Sequence, residues 1–198
     1  AITAQTGMDA LTHAVEAYIG GSTTKDTREN AIKATRLIHQ YLYRAYQDGT
    51  DAEARQNMLH AAYYAGAAFS KSYVGYVHAV AHSLGGQYGT PHGLANAVLL
   101  PIVLREYGAF AHAKLAQMAR EAGVIEGGKS DEETANLFID WIEAMNDKMG
   151  IPRKLSGIQE ADIDQMAEHA DAEANPLYPV PVLMDKEELK KFYHLVKE

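Results

Sequence analysis

Apolar residues recur at helical spacing along most of the chain, in segments that begin at capping residues and end at glycines. No segment shows the strict alternation of apolar and polar residues that is typical of a half-buried strand. We therefore predict an all-α protein: a single multi-helix, bundle-like domain over residues 1–198. The predicted helices cover residues 6–18, 26–46, 50–70, 75–84, 94–107, 110–121, 130–149 and 159–174, with a last short helix from 185.

Helix starts and stops are marked by short local signals. Four residue pairs have the spacing of a capping box, in which a side chain at the N-cap and an acidic side chain three positions later satisfy each other's backbone N–H. These pairs are Asp26 with Glu29, Thr50 with Glu53, Ser130 with Glu133, and Asp185 with Glu188. The glycine pairs at 20–21 and 85–86 predict helix ends, and Pro101 predicts a kink. Residues 175–181 contain three prolines and are predicted to be extended.

Composition narrows the classes of function. The 198 residues carry 26 acidic and 18 basic side chains, a formal net charge of −8, which disfavours nucleic acid as a partner because phosphate affinity needs clustered Lys and Arg. The chain has no apolar stretch long enough for a membrane span and no signal peptide, so we expect a cytoplasmic protein without a membrane partner. There is no cysteine, and there are nine histidines, so any metal must be bound by nitrogen and oxygen.

One match to a known motif is misleading. Residues 123–130 fit the phosphate-binding pattern G-x-x-x-x-G-K-S, but such a loop needs a buried strand before it, whereas residues 113–122 have an amphipathic helical pattern. Gly123 stands where a helix C-terminal glycine is expected, and Ser130 where an N-cap is expected. Glu126 would also place a carboxylate among the phosphates. We therefore predict no nucleoside triphosphate site in this segment.

Five other residues combine the donors of a transition-metal site. Asp9 and His13 are four residues apart in one predicted helix, and His78 and His82 repeat that spacing in another, so each pair shares a helix face. His92 follows in a turn, 14 residues after His78 (92 − 78 = 14). Two helices and a loop can therefore bring four or five nitrogen and oxygen donors to one point. Such a set suits Fe, Zn, Co or Ni better than Mg or Ca.

Each of these residues also has a purely structural interpretation. Asp9 lies three residues after Thr6 and could be the acidic partner in an N-terminal cap, and His13 could be its ion-pair partner. His78 and His82 lie among small apolar residues, where a lone histidine is usually hydrogen-bonded in the core, and His92 could be an ordinary turn residue. The combination of two such pairs with a histidine in a glycine-rich turn favours a metal site.

The remaining histidines and a group of tyrosines are predicted to have no direct functional role. The histidines, interpreted as structural or exposed, are His39, His60, His112, His169 and His194. The tyrosines, interpreted as core or interface residues, are Tyr41, Tyr43, Tyr46, Tyr63 and Tyr64.

Two segments resemble the signatures of the iron-containing (group III) alcohol dehydrogenases. Residues 7–18, GMDALTHAVEAY, are similar to the segment that opens the helical domain of that family. Residues 75–86, GYVHAVAHSLGG, followed by residues 90–97, TPHGLANA, are similar to its second signature and keep its spacing. The resemblance extends in weaker form to residues 175–179, NPLYP, and covers essentially the whole chain.

The resemblance implies a role for each of the five candidate residues. Asp9, His13, His78 and His92 match the metal ligands of the family, which usually hold Fe(II) and in some relatives Zn(II). His82 matches a non-ligand histidine beside the nicotinamide and the substrate, a candidate for proton relay and for orienting the cofactor. The histidine at position 13 favours the alcohol dehydrogenase branch over the related glycerol dehydrogenases and dehydroquinate synthases. The implied activity interconverts a small alcohol and an aldehyde or ketone by hydride transfer with NAD or NADP.

The resemblance also implies a half that this sequence lacks. The family's first half is an α/β domain with a glycine-rich dinucleotide loop, and no G-x-G-x-x-G follows a strand here. The chain opens at Ala1 and runs at once into a helical pattern, so we interpret it as part of a longer two-domain enzyme, cut near a domain boundary. Alone it is expected to bind metal but to be inactive, with most NAD(P) affinity missing. A homo-oligomer is compatible with the resemblance.

Two other classes of function stay open on the residues alone. A non-catalytic, metal-binding helical module for storage or partner binding predicts a site closed by its ligands. A metal-free helical scaffold predicts that a chelator leaves the melting temperature unchanged.

Overall fold

The computed structural model describes residues 1–198 and contains nine α-helices, one short 3-10 turn and no β-strand. The prediction of an all-α fold is therefore confirmed. The helices are α1 (Ile2–Ile19), α2 (Lys25–Gln47), α3 (Ala52–Ser72), α4 (Tyr76–Tyr88), α5 (His92–Tyr107), α6 (Ala109–Glu121), α7 (Asp131–Lys148), α8 (Ile163–Ala174) and α9 (Lys186–Val196).

Helix α1 lies at the centre of the fold and packs against α2, α3, α5 and α6. Small residues let its neighbours approach closely. A Cβ atom added at Gly7 would lie 2.3 Å from Cδ1 of Leu42 on α2, and one added at Gly93 on α5 would lie 2.5 Å from the carbonyl oxygen of Gln5 on α1. The close approach of the Gly93 backbone to the Gln5 carbonyl fixes how α1 and α5 face each other. On the other side of the fold, α4 packs against α5 and α8, and α8 packs against α9.

The helix boundaries differ from the prediction at three places that matter for the candidate residues. Helix α5 begins at His92 rather than at Leu94, so the prediction that His92 lies in a turn is wrong. Helix α1 begins at Ile2 rather than at Thr6, and the Thr6 hydroxyl donates to the carbonyl oxygen of Ile2 at 3.0 Å, as inside a helix. Asp9 therefore lies mid-helix, and its interpretation as part of an N-terminal cap is wrong. Helix α4 continues through the glycines at 85–86 to Tyr88 and ends at Gly89, which adopts a left-handed conformation with φ 67°.

Two of the four predicted capping boxes are present, at Ser130 with Glu133 and at Asp185 with Glu188. The other two are wrong by one or two positions, because Thr24 caps α2 and Asp51 caps α3. At the start of α3 the reason is visible. Thr50 donates its N–H and its hydroxyl to the Asp48 carboxylate, at 2.9 and 2.6 Å, which leaves Asp51 to cap the helix.

Prolines affect two segments. Helix α5 continues through Pro101 without interruption, and the predicted kink there stays a prediction. Because proline has no N–H, the carbonyl oxygen of Ala97 loses its helical donor, and the side-chain amide of Asn146 on α7 donates to it at 2.7 Å. Residues 175–181 are only partly extended: Asn175 is extended, and a turn follows in which the Tyr178 N–H donates to the Ala174 carbonyl oxygen at 2.7 Å.

Residues 123–130 connect α6 to α7, with Gly123 in a left-handed conformation at φ 75° and Ser130 as the N-cap of α7. A helix precedes them rather than a strand, as predicted.

Of the ten residues predicted to have no direct functional role, five are exposed and five are half-buried, and Tyr43, Tyr46 and Tyr64 pack against the hydrophobic core. Four of the five remaining histidines are exposed and His112 is half-buried, and none of the five tyrosines is fully buried. No helix combines the length and the apolar character required to cross a lipid bilayer.

Candidate metal centre

Four side chains from three helices converge on one point. Asp9 and His13 come from α1, His78 from the first turn of α4, and His92 from the first residue of α5. One donor atom from each of the four lies within 4.8 Å of the others. The structure thus brings together all four residues that the sequence proposed as metal ligands; that they bind a metal stays a prediction.

Asp9 lies at the centre of this cluster. Its Oδ1 atom is 3.3 Å from Nε2 of His92 and 3.6 Å from Nε2 of His78, and its Oδ2 atom is 3.9 Å from Nδ1 of His13. The His13 ring stacks on the His78 ring and on the Phe69 ring, with centroids 4.4 Å apart in both cases. Stacking on both faces leaves the His13 ring little freedom to turn away from the cluster.

The cluster contains a buried polar atom without a partner. The His78 side chain is only 2% exposed, yet its Nε2 atom makes no hydrogen bond. Leaving such an atom unpaired costs free energy, typically about 1–3 kcal/mol. A cation among the four donors would give Nε2 a partner, so the residues present fit a metal ion with nitrogen and oxygen ligands.

Three of the four side chains carry the charge that cation binding requires, and His78 would release a proton when a metal binds. Burial raises the pKa of Asp9, but its histidine neighbours, His78 first, outweigh burial and lower it to about 2. Burial and the charge of His78 lower the pKa of His13 to about 4, and burial lowers the pKa of His92. Burial opposes protonation of His78, but the carboxylates of Asp9 and Glu16 raise its pKa to about 9. Near pH 7, therefore, Asp9 is ionised and two of the three imidazoles are neutral.

Two residues that hold the cluster in place were not predicted from the sequence. Glu16 is buried and lies 2.6 Å from Nδ1 of His78 through its Oε2 atom. Asn96 is also buried; its amide donates to Oδ1 of Asp9 at 2.6 Å and lies 3.0 Å from Nε2 of His92. A signal was available for each: Glu16 lies two helical turns after Asp9 in an apolar run, and Asn96 lies one turn after His92.

His82 lies beside the cluster but outside it. Its ring stacks on the His92 ring with centroids 5.2 Å apart, and its side chain is 43% exposed. Its Nδ1 atom is 2.7 Å from Oε1 of Glu173 on α8, and the Tyr178 hydroxyl donates to the same oxygen at 2.7 Å. Burial raises the pKa of Glu173, but the hydrogen bonds from His82 and Tyr178 outweigh burial and lower it. The contacts of His82 with Glu173 and of Glu173 with Tyr178 were not predicted from the sequence.

Fold and cluster together define a class: an all-helical domain that presents three imidazoles and one carboxylate to a common centre. Within that class, the chain belongs to the Fe-containing alcohol dehydrogenase family. Residues 3–196 match the family model described as "Fe-containing alcohol dehydrogenase family, C-terminal". The family resemblance drawn from the sequence is therefore confirmed.

Individual relatives give the extent of the match. The chain is 47% identical to 1,3-propanediol dehydrogenase of Citrobacter freundii over 177 residues, which are 88% of this chain and 46% of that protein. It is 42% identical to alcohol dehydrogenase 4 of Saccharomyces cerevisiae over 201 residues, which are 98% of this chain and 51% of that protein. The solved structure of an alcohol dehydrogenase from Oenococcus oeni superposes with a TM-score of 0.91 at 36% identity, covering 98% of this chain and 51% of that one. The chain spans about half the length of these relatives.

Proposed function

We propose that this chain is the metal-binding domain of an oxidoreductase that interconverts a small alcohol and its aldehyde or ketone by hydride transfer with NAD or NADP. The observation that carries the proposal is the four-residue cluster with the unpaired Nε2 atom of His78. Relatives named NADPH-dependent butanol dehydrogenase and NAD-dependent methanol dehydrogenase support both the reaction class and the choice of either nucleotide.

Asp9, His13, His78 and His92 would hold the metal, Fe(II) or Zn(II), as three neutral imidazoles and one carboxylate. When bound, the metal supplies a Lewis acid that polarises the oxygen of the substrate. Asn96 keeps the Asp9 carboxylate turned toward the three histidines through its hydrogen bond to Oδ1. One donor atom from each of the four residues already lies within 4.8 Å of the other three.

His82 is proposed as the residue that moves a proton between the substrate and solvent. Glu173 holds its Nδ1 atom, so the other ring nitrogen is the one available for proton exchange. The exposed position of His82 beside His92 supports this role, because a relay must reach both the cluster and water. In the assembled enzyme the same side chain would also contact the nicotinamide.

The alternative of a non-catalytic metal-binding module predicts a site enclosed by its ligands. The exposures of the candidate ligands oppose it: His92 is 44% exposed and Asp9 21% exposed. One side of the cluster is thus open to a substrate. We propose that residues 1–198 form one domain and that its partner is a nucleotide-binding domain, which in the relatives would belong to the half outside the match.

Metal content tests the proposal directly. The 198-residue chain is purified without oxygen, and bound metal is counted by elemental mass spectrometry in the wild type, in Asp9→Ala and in His78→Ala. His60→Ala, an exposed histidine on α3, is the matched control. We expect about one Fe or Zn per chain in the wild type and the control, and a loss of most of it in the other two variants. A wild-type chain that stays empty after reconstitution with either metal would falsify the proposal.

A further inference from the structure

The Glu16 carboxylate is almost fully buried, with 3% of the residue exposed, and has no Lys or Arg as a partner. Instead it faces three N–H groups of one short segment. Oε1 accepts from the Val77 N–H at 2.8 Å, and Oε2 accepts from the Gly75 N–H at 2.9 Å and lies 2.6 Å from Nδ1 of His78. Burying a charge is costly unless it is satisfied in this way.

The segment around Gly75 is shaped to receive this carboxylate. Gly75 is the N-cap residue of α4 and has no side chain with which to cap it, so Glu16 on α1 satisfies the free N–H groups from outside. A Cβ atom at Gly75 would lie 2.7 Å from Oε1 of Glu16. The positive end of the α4 dipole also favours a negative charge at this place.

We propose that Glu16 is a positioning residue of the metal centre, which accepts the Nδ1 proton of His78 and thereby leaves the Nε2 lone pair directed at the cluster. This inference rests on the proposed metal-binding function. The unpaired Nε2 atom and the 2.6 Å contact at Nδ1 are its two supports. A histidine ligand commonly donates its other N–H to a carboxylate, which fixes the tautomer and makes the ligand more basic. With neutral imidazoles, the charges of Asp9 and Glu16 together would neutralise a divalent cation.

A purely structural role as a helix cap is the competing explanation, and Glu16→Gln separates the two. If the glutamine amide nitrogen faces His78, it donates to Nδ1 and stabilises the tautomer with the proton on Nε2, which cannot bind metal. If the glutamine amide nitrogen faces Val77 instead, it lies against the Val77 N–H, and the hydrogen bond to that N–H is lost because both groups are donors. A cap alone predicts lower stability but unchanged affinity of the folded chain for metal.

The experiment measures Zn(II) affinity by competition with a chromophoric chelator, and the visible spectrum of the Co(II)-loaded chain. For Glu16→Gln we expect affinity to fall roughly ten- to a hundredfold and the Co(II) bands to shift. The matched control is Ser130→Ala, which removes the cap of α7 far from the cluster. It should lower the melting temperature and leave both metal readouts unchanged. Wild-type affinity and an unshifted Co(II) spectrum in Glu16→Gln would overturn the positioning role.

Two further measurements separate a failure of the proposed metal-binding function from a failure of the proposed role of Glu16. A wild-type chain that binds neither Zn(II) nor Co(II) overturns the proposed function itself, and the role of Glu16 with it. If Glu16→Gln does not fold, the zinc-loaded wild type decides, through the ¹⁵N NMR signals of the His78 ring. We expect a protonated Nδ1 and a metal-bound Nε2; a proton on Nε2 would overturn the proposal.

Discussion

At the scale of single residues, both ring nitrogens of His78 have a defined environment. Nδ1 faces the Glu16 carboxylate, and Nε2 faces Asp9 without a hydrogen-bond partner. His82, one turn further along α4, repeats half of this arrangement, since its Nδ1 atom is held by Glu173. A carboxylate therefore orients each of the two histidines of α4. The pair differs in burial, because His78 is 2% exposed and His82 is 43% exposed.

The contact between His82 and Glu173 predicts a pH-dependent contribution to stability. In the folded chain the pKa of Glu173 lies below its ordinary value of 4.5, so its ionised form stabilises the fold above that pH. The contribution is lost as the pH falls through the folded-state pKa. Glu173→Gln should therefore lower the free energy of unfolding near pH 7 and have a smaller effect near about pH 3.5, measured by urea denaturation.

The exposed Glu168 on the same helix supplies the control for this comparison. Glu168→Gln is expected to change stability little at either pH, because exposed ion pairs contribute little. An equal loss of stability for Glu173→Gln at both pH values would show that the carboxylate charge is not the stabilising feature.

At the scale of elements, the cluster exists because α1 and α5 approach closely. The Gly93 backbone packs against the Gln5 carbonyl, which sets His92 opposite Asp9. Helix α1 supplies two of the four donors and also Glu16, so a displacement of α1 affects the whole cluster. Close helix packing and site geometry therefore depend on the same contacts.

Gly93→Ala tests this dependence. Its Cβ atom would meet backbone rather than a flexible side chain, so α5 must shift, and we expect a loss of about 1–3 kcal/mol of stability. Zn(II) affinity should fall as well, because His92 moves with the helix. Gly86→Ala on α4, where an added Cβ meets nothing within 4 Å, is the control. It should raise stability by about 0.5–1 kcal/mol. Unchanged zinc affinity in Gly93→Ala would contradict this account.

The continuity of α5 through Pro101 gives a second prediction at this scale. Asn146→Ala removes the donor to the Ala97 carbonyl oxygen and should cost about 1–3 kcal/mol of unfolding free energy. Restoring a backbone N–H with Pro101→Ala should reduce that penalty, because the helix then satisfies Ala97 by itself. Urea denaturation of the two single variants and the double variant measures the coupling. If the changes in unfolding free energy of the two single variants simply add in the double variant, the Asn146 amide does not substitute for the N–H that Pro101 lacks.

At the scale of the whole molecule, one hydrophobic core connects all nine helices, so binding at the cluster should stabilise the chain as a unit. At Zn(II) concentrations a hundredfold above the dissociation constant, the gain is about 2.7 kcal/mol. We expect zinc to raise the melting temperature of the wild type and of His82→Ala, but not of His78→Ala. NAD(H) or NADP(H) alone should raise it little in every case, since the proposed partner domain would supply most of the nucleotide contacts. Strong stabilisation by the nucleotide alone would refute the proposal that a second domain supplies most of the nucleotide contacts.

The sequence determined the fold class and which candidate donors share a helix face, because both depend on local spacing. Apolar residues repeat at 3.6-residue intervals in every predicted helix, and the capping boxes at Ser130 and Asp185 are interactions within one turn. A four-residue spacing places Asp9 and His13 on one face whatever surrounds them. These features follow from the chain's own geometry.

The tertiary structure decided what depends on contacts between distant segments. The passage of α5 through Pro101 is accompanied by a hydrogen bond from Asn146 on α7, which no local pattern predicts. The same holds for Glu16, which lies 59 positions from the Gly75 N–H group it accepts from. No local pattern links these two positions. Local rules fix which atoms a helix presents, but only packing fixes which of those atoms meet.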